Sequence, residues 1–240
     1  IENKNMLIVL VSIIILIIMV YCYNQIGKQR TVYDPKSPIH YPLKPPILAL
    51  YNNFVSAVDC KEIIRFGTDL VRPSPVGFDN DSDSSVRSSW QAWIDPHKYP
   101  VIKRLQDKIV KLVGYPATHH EQFQLVSYKK TQQYKHHLDS CNPHAADHEA
   151  CQADAHMAGG FREYTFLIYL NGDFTGGETD FPAINKKVKP AQGRAVLFRN
   201  LLPGTNDSDP DSFHAGLPIT SGTKWAINVW IRNGPYLPNL

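Results

Sequence analysis

The chain has 240 residues, 43% of them hydrophobic and 20% charged. That composition suits one globular catalytic domain with a full core and a short appendage. A net charge of +3 without a dense Lys/Arg run argues against a nucleic-acid partner, and four cysteines do not make a disulfide scaffold at this length.

From Met6 to Tyr23 the chain is almost wholly apolar, with Ser12 the main polar interruption. This run approaches the roughly 20 residues that span a bilayer, and it is longer than the roughly 7–15 residues of a signal-peptide core. Residues 1–24 are therefore expected to form a single N-terminal membrane anchor. Its orientation is open: Lys4 precedes the span while Lys28 and Arg30 follow it, which by the positive-inside rule leaves the domain cytoplasmic. Two Asn-x-Ser sequons, at Asn80 and Asn206, point the other way.

Residues 25–46, rich in proline from position 31 on, read as a semi-extended stalk, and residues 47–240 as the folded domain. Asp59 followed by Glu62 has the form of a capping box, with Ile63, Ile64, Phe66 and Leu70 at helical spacing after it. A second helix is expected to start at Asp95-Pro96. Val101, Leu105, Ile109 and Leu112 form its apolar stripe and Gly114 stops it.

After about residue 120 short β-rich runs appear, at 123–128, 163–170, 194–199 and 225–232, separated by Gly, Pro, Asn and Asp turns. The expected class is mainly β with flanking helices, an all-β sandwich or barrel with the two helices packed outside. His119-His120 reads as a loop before the first core strand, and 205–212 as a solvated acidic turn.

Other chemistries find little footing. Asp79, Asp81 and Asp83 alternate as in a calcium loop, but its glycine position holds Ser84 and its final glutamate position Trp90. No Gly-x-Ser-x-Gly and no phosphate-binding glycine loop occurs. Cys22 ends the apolar run and Cys60 sits in the first predicted helix. Cys141 and Cys151 flank a short loop and would pair in an oxidising compartment, a point the sequence leaves open.

His137-Leu138-Asp139 places an imidazole and a carboxylate two residues apart, on one face of an extended chain. A second imidazole would complete a two-His-one-carboxylate set that leaves coordination positions open, as an oxygen-activating Fe(II) requires. His214 is a candidate, in a strand-like segment downstream. Lys224 enters an apolar strand ten residues later, and a lysine there wants an anionic partner.

The ordered motifs carry a resemblance. Arg87-Ser88-Ser89, Glu121, Leu125–Tyr128, Tyr134–Asp139 and Thr165–Leu170 come first. Gly176–Pro182, Gly193–Phe198, His214-Ala215-Gly216, Lys224-Trp225 and Trp230-Ile231-Arg232 complete the series. Over roughly residues 50–232 the chain resembles the collagen-type prolyl 4-hydroxylases, in particular their short viral and algal-like single-domain members. The resemblance implies a double-stranded β-helix (jelly roll) and hydroxylation of peptidyl proline in Pro-rich or collagen-like sequences. That reaction is coupled to decarboxylation of 2-oxoglutarate to succinate and CO2, with Fe(II), O2 and ascorbate required.

It implies that His137, Asp139 and His214 ligate iron, that Lys224 pairs with the distal carboxylate of 2-oxoglutarate, and that Tyr128, Thr179 and Trp230 line that pocket. Ser89, Glu121 and Arg162 fall where a peptide groove is expected. It also implies a domain in the endoplasmic reticulum lumen. Without the resemblance Tyr128 and Trp230 read as core aromatics and Thr179 as a turn residue.

One segment departs from the family. Ser140–Gly160 inserts Cys141, His144, His148, Cys151 and His156. Their spacing fits no common zinc signature, so a mobile polar loop over the active site is expected. The insertion bears on substrate choice more than on chemistry. Two rivals stand beside the prolyl reading: the same chemistry on another side chain such as lysine, and a non-catalytic membrane-tethered peptide-binding module.

Overall fold

The computed structural model describes residues 47–74 and 87–238. The anchor over 1–24, the stalk over 25–46, Asn80 and the Asp79/Asp81/Asp83 run lie outside the described residues. No helix among the described residues is long and apolar enough to cross a membrane.

Two helices come early. In α1, Ala57–Gly67, Ser56 is the N-cap: its hydroxyl accepts from the Asp59 amide at 3.0 Å and donates to the Asp59 carboxylate at 2.8 Å. The cap is therefore Ser56 with Asp59, three residues earlier than Asp59 with Glu62, and it satisfies one backbone N–H that the helix start leaves open. The second helix, α2, is Pro100–Val113, with Pro100 at its first position and Gly114 in the left-handed conformation behind it. It does not start at Asp95-Pro96. The Asp95 carboxylate instead accepts from the His97 amide and its carbonyl from Lys98, closing a turn, and an extended Tyr99 then starts the helix.

Each of the four β-rich runs forms a strand, and further strands lie outside them. β1 is Leu48–Tyr51, β2 Arg72–Pro73, β3 Trp90–Ile94, β4 Phe123–Tyr128, β5 Tyr134–His137 and β6 Arg162–Tyr169. β7 is Thr175–Gly176, β8 Thr179–Phe181, β9 Lys186–Val188 and β10 Ala195–Arg199. β11 is His214–Gly216, β12 Ile219–Ser221 and β13 Lys224–Arg232. They form a seven-stranded sheet in the order β1-β10-β6-β13-β4-β3-β2 and a four-stranded sheet in the order β5-β11-β8-β9. A two-stranded ribbon pairs β12 with β7. The fold is mainly β with flanking helices, a jelly roll.

Both faces of the large sheet are apolar, for two different reasons. Leu125, Ile168 and Ile227 align across β4, β13 and β6 and are fully buried on the outer face. There α1 packs so closely that a Cβ on Gly67 would come within 2.2 Å of Leu125 Cδ2. The alternate residues, Val126, Leu167, Val196 and Ala226, join Phe181 and Val188 of the small sheet in one buried cluster. That cluster is the floor on which the site is built.

Three local expectations change. The 140–160 insertion is not a loop alone: His148–Met157 forms a helix, α3, and a disulfide joins Cys141 to Cys151. Nor is 205–212 wholly a solvated turn, because Asp209 is buried and paired with Arg199 at 2.5 Å. His120, expected in a loop, is buried.

Candidate active site

β5 and β11 are antiparallel, and their register sets His137 directly opposite His214. Directly opposed residues project to the same face, so this pairing brings together two imidazoles 77 positions apart in sequence, with ring centroids 4.3 Å apart. Asp139 follows two residues after His137 and reaches both rings. Its carboxylate lies 3.4 Å from His137 Nε2 and 3.9 Å from His214 Nε2. The ligand-capable atoms of all three lie within 4.8 Å of one another, and no other such group occurs among the described residues.

Each donor is held by a second partner. His137 Nδ1 lies 2.8 Å from the Lys135 carbonyl and His214 Nδ1 lies 2.9 Å from that of Ser212. A carbonyl can only accept, so Nδ1 carries the proton and the Nε2 lone pairs are left for a metal. Burial lowers the His214 pKa to about 4, with His137 adding to the effect and Asp139 opposing it. It is thus a neutral ligand at pH 7.

Burial works against ionising Asp139. The neighbouring His214, then His137 and the Thr165 hydroxyl, outweigh it and hold the carboxyl well below the usual range. Thr165 donates to Asp139 at 2.6 Å and in turn accepts from Asn200 at 2.9 Å. Tyr134 stacks on His137 with centroids 3.6 Å apart, and Phe181 and Phe198 contact the His214 ring. Two imidazoles and one carboxylate, gathered on one side with the rest of the sphere free, are the donor set that suits Fe(II).

Lys224 lies deep in the same cavity, 4% exposed, at the start of β13 opposite Tyr128. Its Nζ donates to the Gly177 carbonyl at 2.8 Å and faces the Tyr128 and Tyr169 rings at 5.5 and 5.3 Å. No carboxylate pairs with it among the described residues. Burial lowers its pKa to about 8, partly offset by Glu178. A buried ammonium held by one carbonyl and two ring faces is an anion site.

Tyr128, Thr179 and Trp230 line this cavity together with the His137/Asp139/His214 set. The Thr179 hydroxyl is 2.6 Å from Tyr169 Oη, and Trp230 Nε1 is buried without a partner.

The three candidate groove residues sit differently. Ser89 is buried, bonded to Arg87 and Ser74. Glu121 is buried under Arg162 and Arg232, which reach it at 2.7 and 2.8 Å. Arg162 caps the Trp230 ring at 3.8 Å and lines a second cavity, of about 280 Å³, that meets the first at Tyr134 and Asp139.

Sequence reasoning had no role for Thr165, Asn200 or Tyr169. The signal for Thr165 and Tyr169 was alternation: 165, 167 and 169 share the inner face of β6, and polar groups there must find partners.

Residues 123–232 match the family model of the 2OG-Fe(II) oxygenase superfamily. A protein of Acanthamoeba polyphaga mimivirus named as a prolyl 4-hydroxylase is 36% identical over 181 residues, covering 75% of this chain and 72% of that one. The chain belongs to the prolyl 4-hydroxylase family. The family also includes an Arabidopsis thaliana protein named as prolyl 4-hydroxylase 4, 31% identical over 212 residues, 78% of this chain and 67% of its own.

The viral collagen prolyl hydroxylase of Paramecium bursaria Chlorella virus-1, solved with 2OG, superposes with a TM-score of 0.59 at 26% identity. The match covers 78% of this chain and 95% of that one. A Trichoplax adhaerens prolyl hydroxylase solved with a hypoxia inducible factor peptide fragment shares the fold, with a TM-score of 0.59 at 21% identity. This prolyl 4-hydroxylase family member is an Fe(II)- and 2-oxoglutarate-dependent dioxygenase, with O2 as its other substrate.

Proposed function

We propose that the enzyme hydroxylates C4 of peptidyl proline in Pro-rich or collagen-like sequences, coupled to decarboxylation of 2-oxoglutarate to succinate and CO2. The observation that carries this reading is the shared cavity of Lys224 and the His137/Asp139/His214 set, in a chain whose relatives are named as prolyl 4-hydroxylases.

In this reading His137, Asp139 and His214 hold Fe(II), which supplies the activation of O2 and the oxidative decarboxylation. The protein's own residues do the placing. The Lys135 and Ser212 carbonyls fix the imidazole tautomers, and Thr165 orients the Asp139 carboxylate. Lys224 takes the distal carboxylate of 2-oxoglutarate, with Tyr128, Thr179 and Trp230 as walls.

Arg162, locked to Glu121 and laid on Trp230, presents a rigid edge to the peptide. Glu121 supports that edge from below, and Ser89 is a further residue of the proposed groove. A Pro-rich substrate arrives already extended as polyproline II and docks at low entropic cost. Ascorbate serves to restore enzyme oxidised in turnovers without substrate.

We also propose that the domain lies in the endoplasmic reticulum lumen, tethered by an anchor over residues 1–24. The Cys141–Cys151 bridge supports that placement, since structural disulfides persist in such compartments. Protection of the domain from added protease in sealed microsomes tests it; cleavage without detergent would contradict it.

The functional reading is tested by succinate release. A Pro-rich peptide should stimulate it, while a matched peptide with every proline replaced should not. Equal stimulation by a lysine-rich peptide would favour the rival substrate. Lys224→Ala should raise the 2-oxoglutarate KM by about two orders of magnitude, the scale of a lost buried charge pair. In the wild type, kcat/KM for 2-oxoglutarate should fall as pH rises past about 8, where the free enzyme's ammonium loses its proton. An unchanged KM, or a flat profile, would remove this role.

A further inference from the structure

The second cavity has a wall that the proposed chemistry does not use. Its near side is Tyr134, Asp139 and Arg162; its far side is Cys141, Cys151, Asp154 and Ala155. Cys151, Asp154 and Ala155 are at positions i, i+3 and i+4 of α3, so one helix face looks into the cavity directly beside the candidate metal ligands.

That helix has little else to hold it. Its sequence, HEACQADAHM, carries no apolar stripe, and Ala155 is its one buried residue. Two features fasten it. One is the bridge to Cys141, two residues after Asp139, and the other is a small cluster of Cys141, Ala155, Phe161 and Leu201. Ser140 and Ser208 extend the anchorage, with Ser208 donating to the Cys141 carbonyl at 2.6 Å.

Asp154 is the uncommitted charge on this wall. Its carboxylate is half-buried, accepts no hydrogen bond and pairs with no cation among the described residues. The other charges around the cavity are spoken for. Arg162 and Arg232 both turn to Glu121, Arg232 also donates to the Gly160 carbonyl, and Asp139 is held by Thr165. A half-buried carboxylate with no partner favours whatever cation or donor the cavity admits, and disfavours a second anion.

We propose that Asp154 is a specificity-determining residue that favours a cationic residue beside the target proline, and that the Cys141–Cys151 bridge holds it in place. This rests on the prolyl reading above. An extended peptide with its proline at the metal passes a flanking side chain into this cavity, where Lys or Arg meets Asp154 and Glu meets repulsion.

The test uses one Pro-rich peptide with Lys, Ala or Glu on either side of the target proline, and compares kcat/KM for proline oxidation within each enzyme. Wild type should prefer Lys over Glu by about tenfold on one side, a ratio that shrinks with added salt. Asp154→Asn should bring the ratio close to one. Cys151→Ser should reduce it too, as should prior reduction of the wild-type protein.

Because the ratio is internal to each enzyme, a general loss of activity does not enter it. A wild type that oxidises proline with no Lys preference, or an Asp154→Asn enzyme that keeps one, overturns the assignment and leaves the prolyl reading intact. A Cys151→Ser enzyme with an unchanged ratio overturns the role of the bridge. A wild type that oxidises no proline in any of the peptides overturns the prolyl reading and this proposal with it.

Discussion

Thr165 shows how much of this site depends on a side chain that is not itself a metal ligand. Its hydroxyl links Asp139 to Asn200, a buried residue, and so aims the carboxylate and adds to the effect of His214 and His137 that keeps it charged. Thr165→Val keeps the shape and removes that bond. Fe(II) affinity, measured by titration in the absence of O2, should fall about 10–100-fold, the usual cost of losing such a partner. Unchanged affinity would mean that Asp139 needs no support. In the sequence this threonine was one polar letter in an apolar strand, whereas His137 and Asp139 were visible as a spaced pair. His214 was one of ten histidines, and only the β5–β11 register makes it their partner. Pairing between distant strands is not written in local spacing, which is why the resemblance was needed to choose it.

The elements differ in how openly the sequence announces them. β4 matches its apolar run end to end, and α2 carries its proline start, apolar stripe and glycine stop in plain order. The start of α2 was misplaced because Asp-Pro opens turns as readily as helices. Helix α3 was not legible at all, since a bridge and a side cluster hold it rather than an apolar face. Gly193 marks another hidden constraint, ahead of β10. Its φ is +74°, its carbonyl accepts from the Phe54 and Val55 amides, and an added Cβ would sit 2.2 Å from the Val55 carbonyl oxygen. Gly193→Ala should therefore cost about 1–3 kcal/mol, read as a lowered Tm or denaturant midpoint. A variant as stable as the wild type would show that this junction relaxes freely.

For the molecule as a whole, pH acts through groups buried without partners. His120 is 4% exposed, and among the described residues neither ring nitrogen has a well-formed hydrogen bond. Burial, helped by His119 and opposed by the Tyr115 backbone, lowers its pKa to about 4. The unfolded chain, with an ordinary pKa near 6.5, takes up the proton first. This contribution is therefore intact above about pH 6.5 and lost as pH falls toward 4, to the extent of about 3 kcal/mol. His120→Phe should lose less Tm between pH 7 and pH 5 than the wild type does; an identical loss would place the acid sensitivity elsewhere.

At the same scale the function rests on a small cavity in a large, doubly packed sheet. There the anion-seeking Lys224 and the three metal-competent side chains together suit a 2-oxoglutarate-dependent oxidation, and a peptidyl proline is the target proposed for it. The most direct measurement is tandem mass spectrometry of a Pro-rich peptide after incubation with the enzyme, Fe(II), 2-oxoglutarate and O2. The account predicts one added oxygen atom on a prolyl ring, identified as 4-hydroxyproline after hydrolysis, with one succinate formed per oxygen gained. Succinate released while every proline stays unmodified, or oxygen found on another side chain, would contradict it.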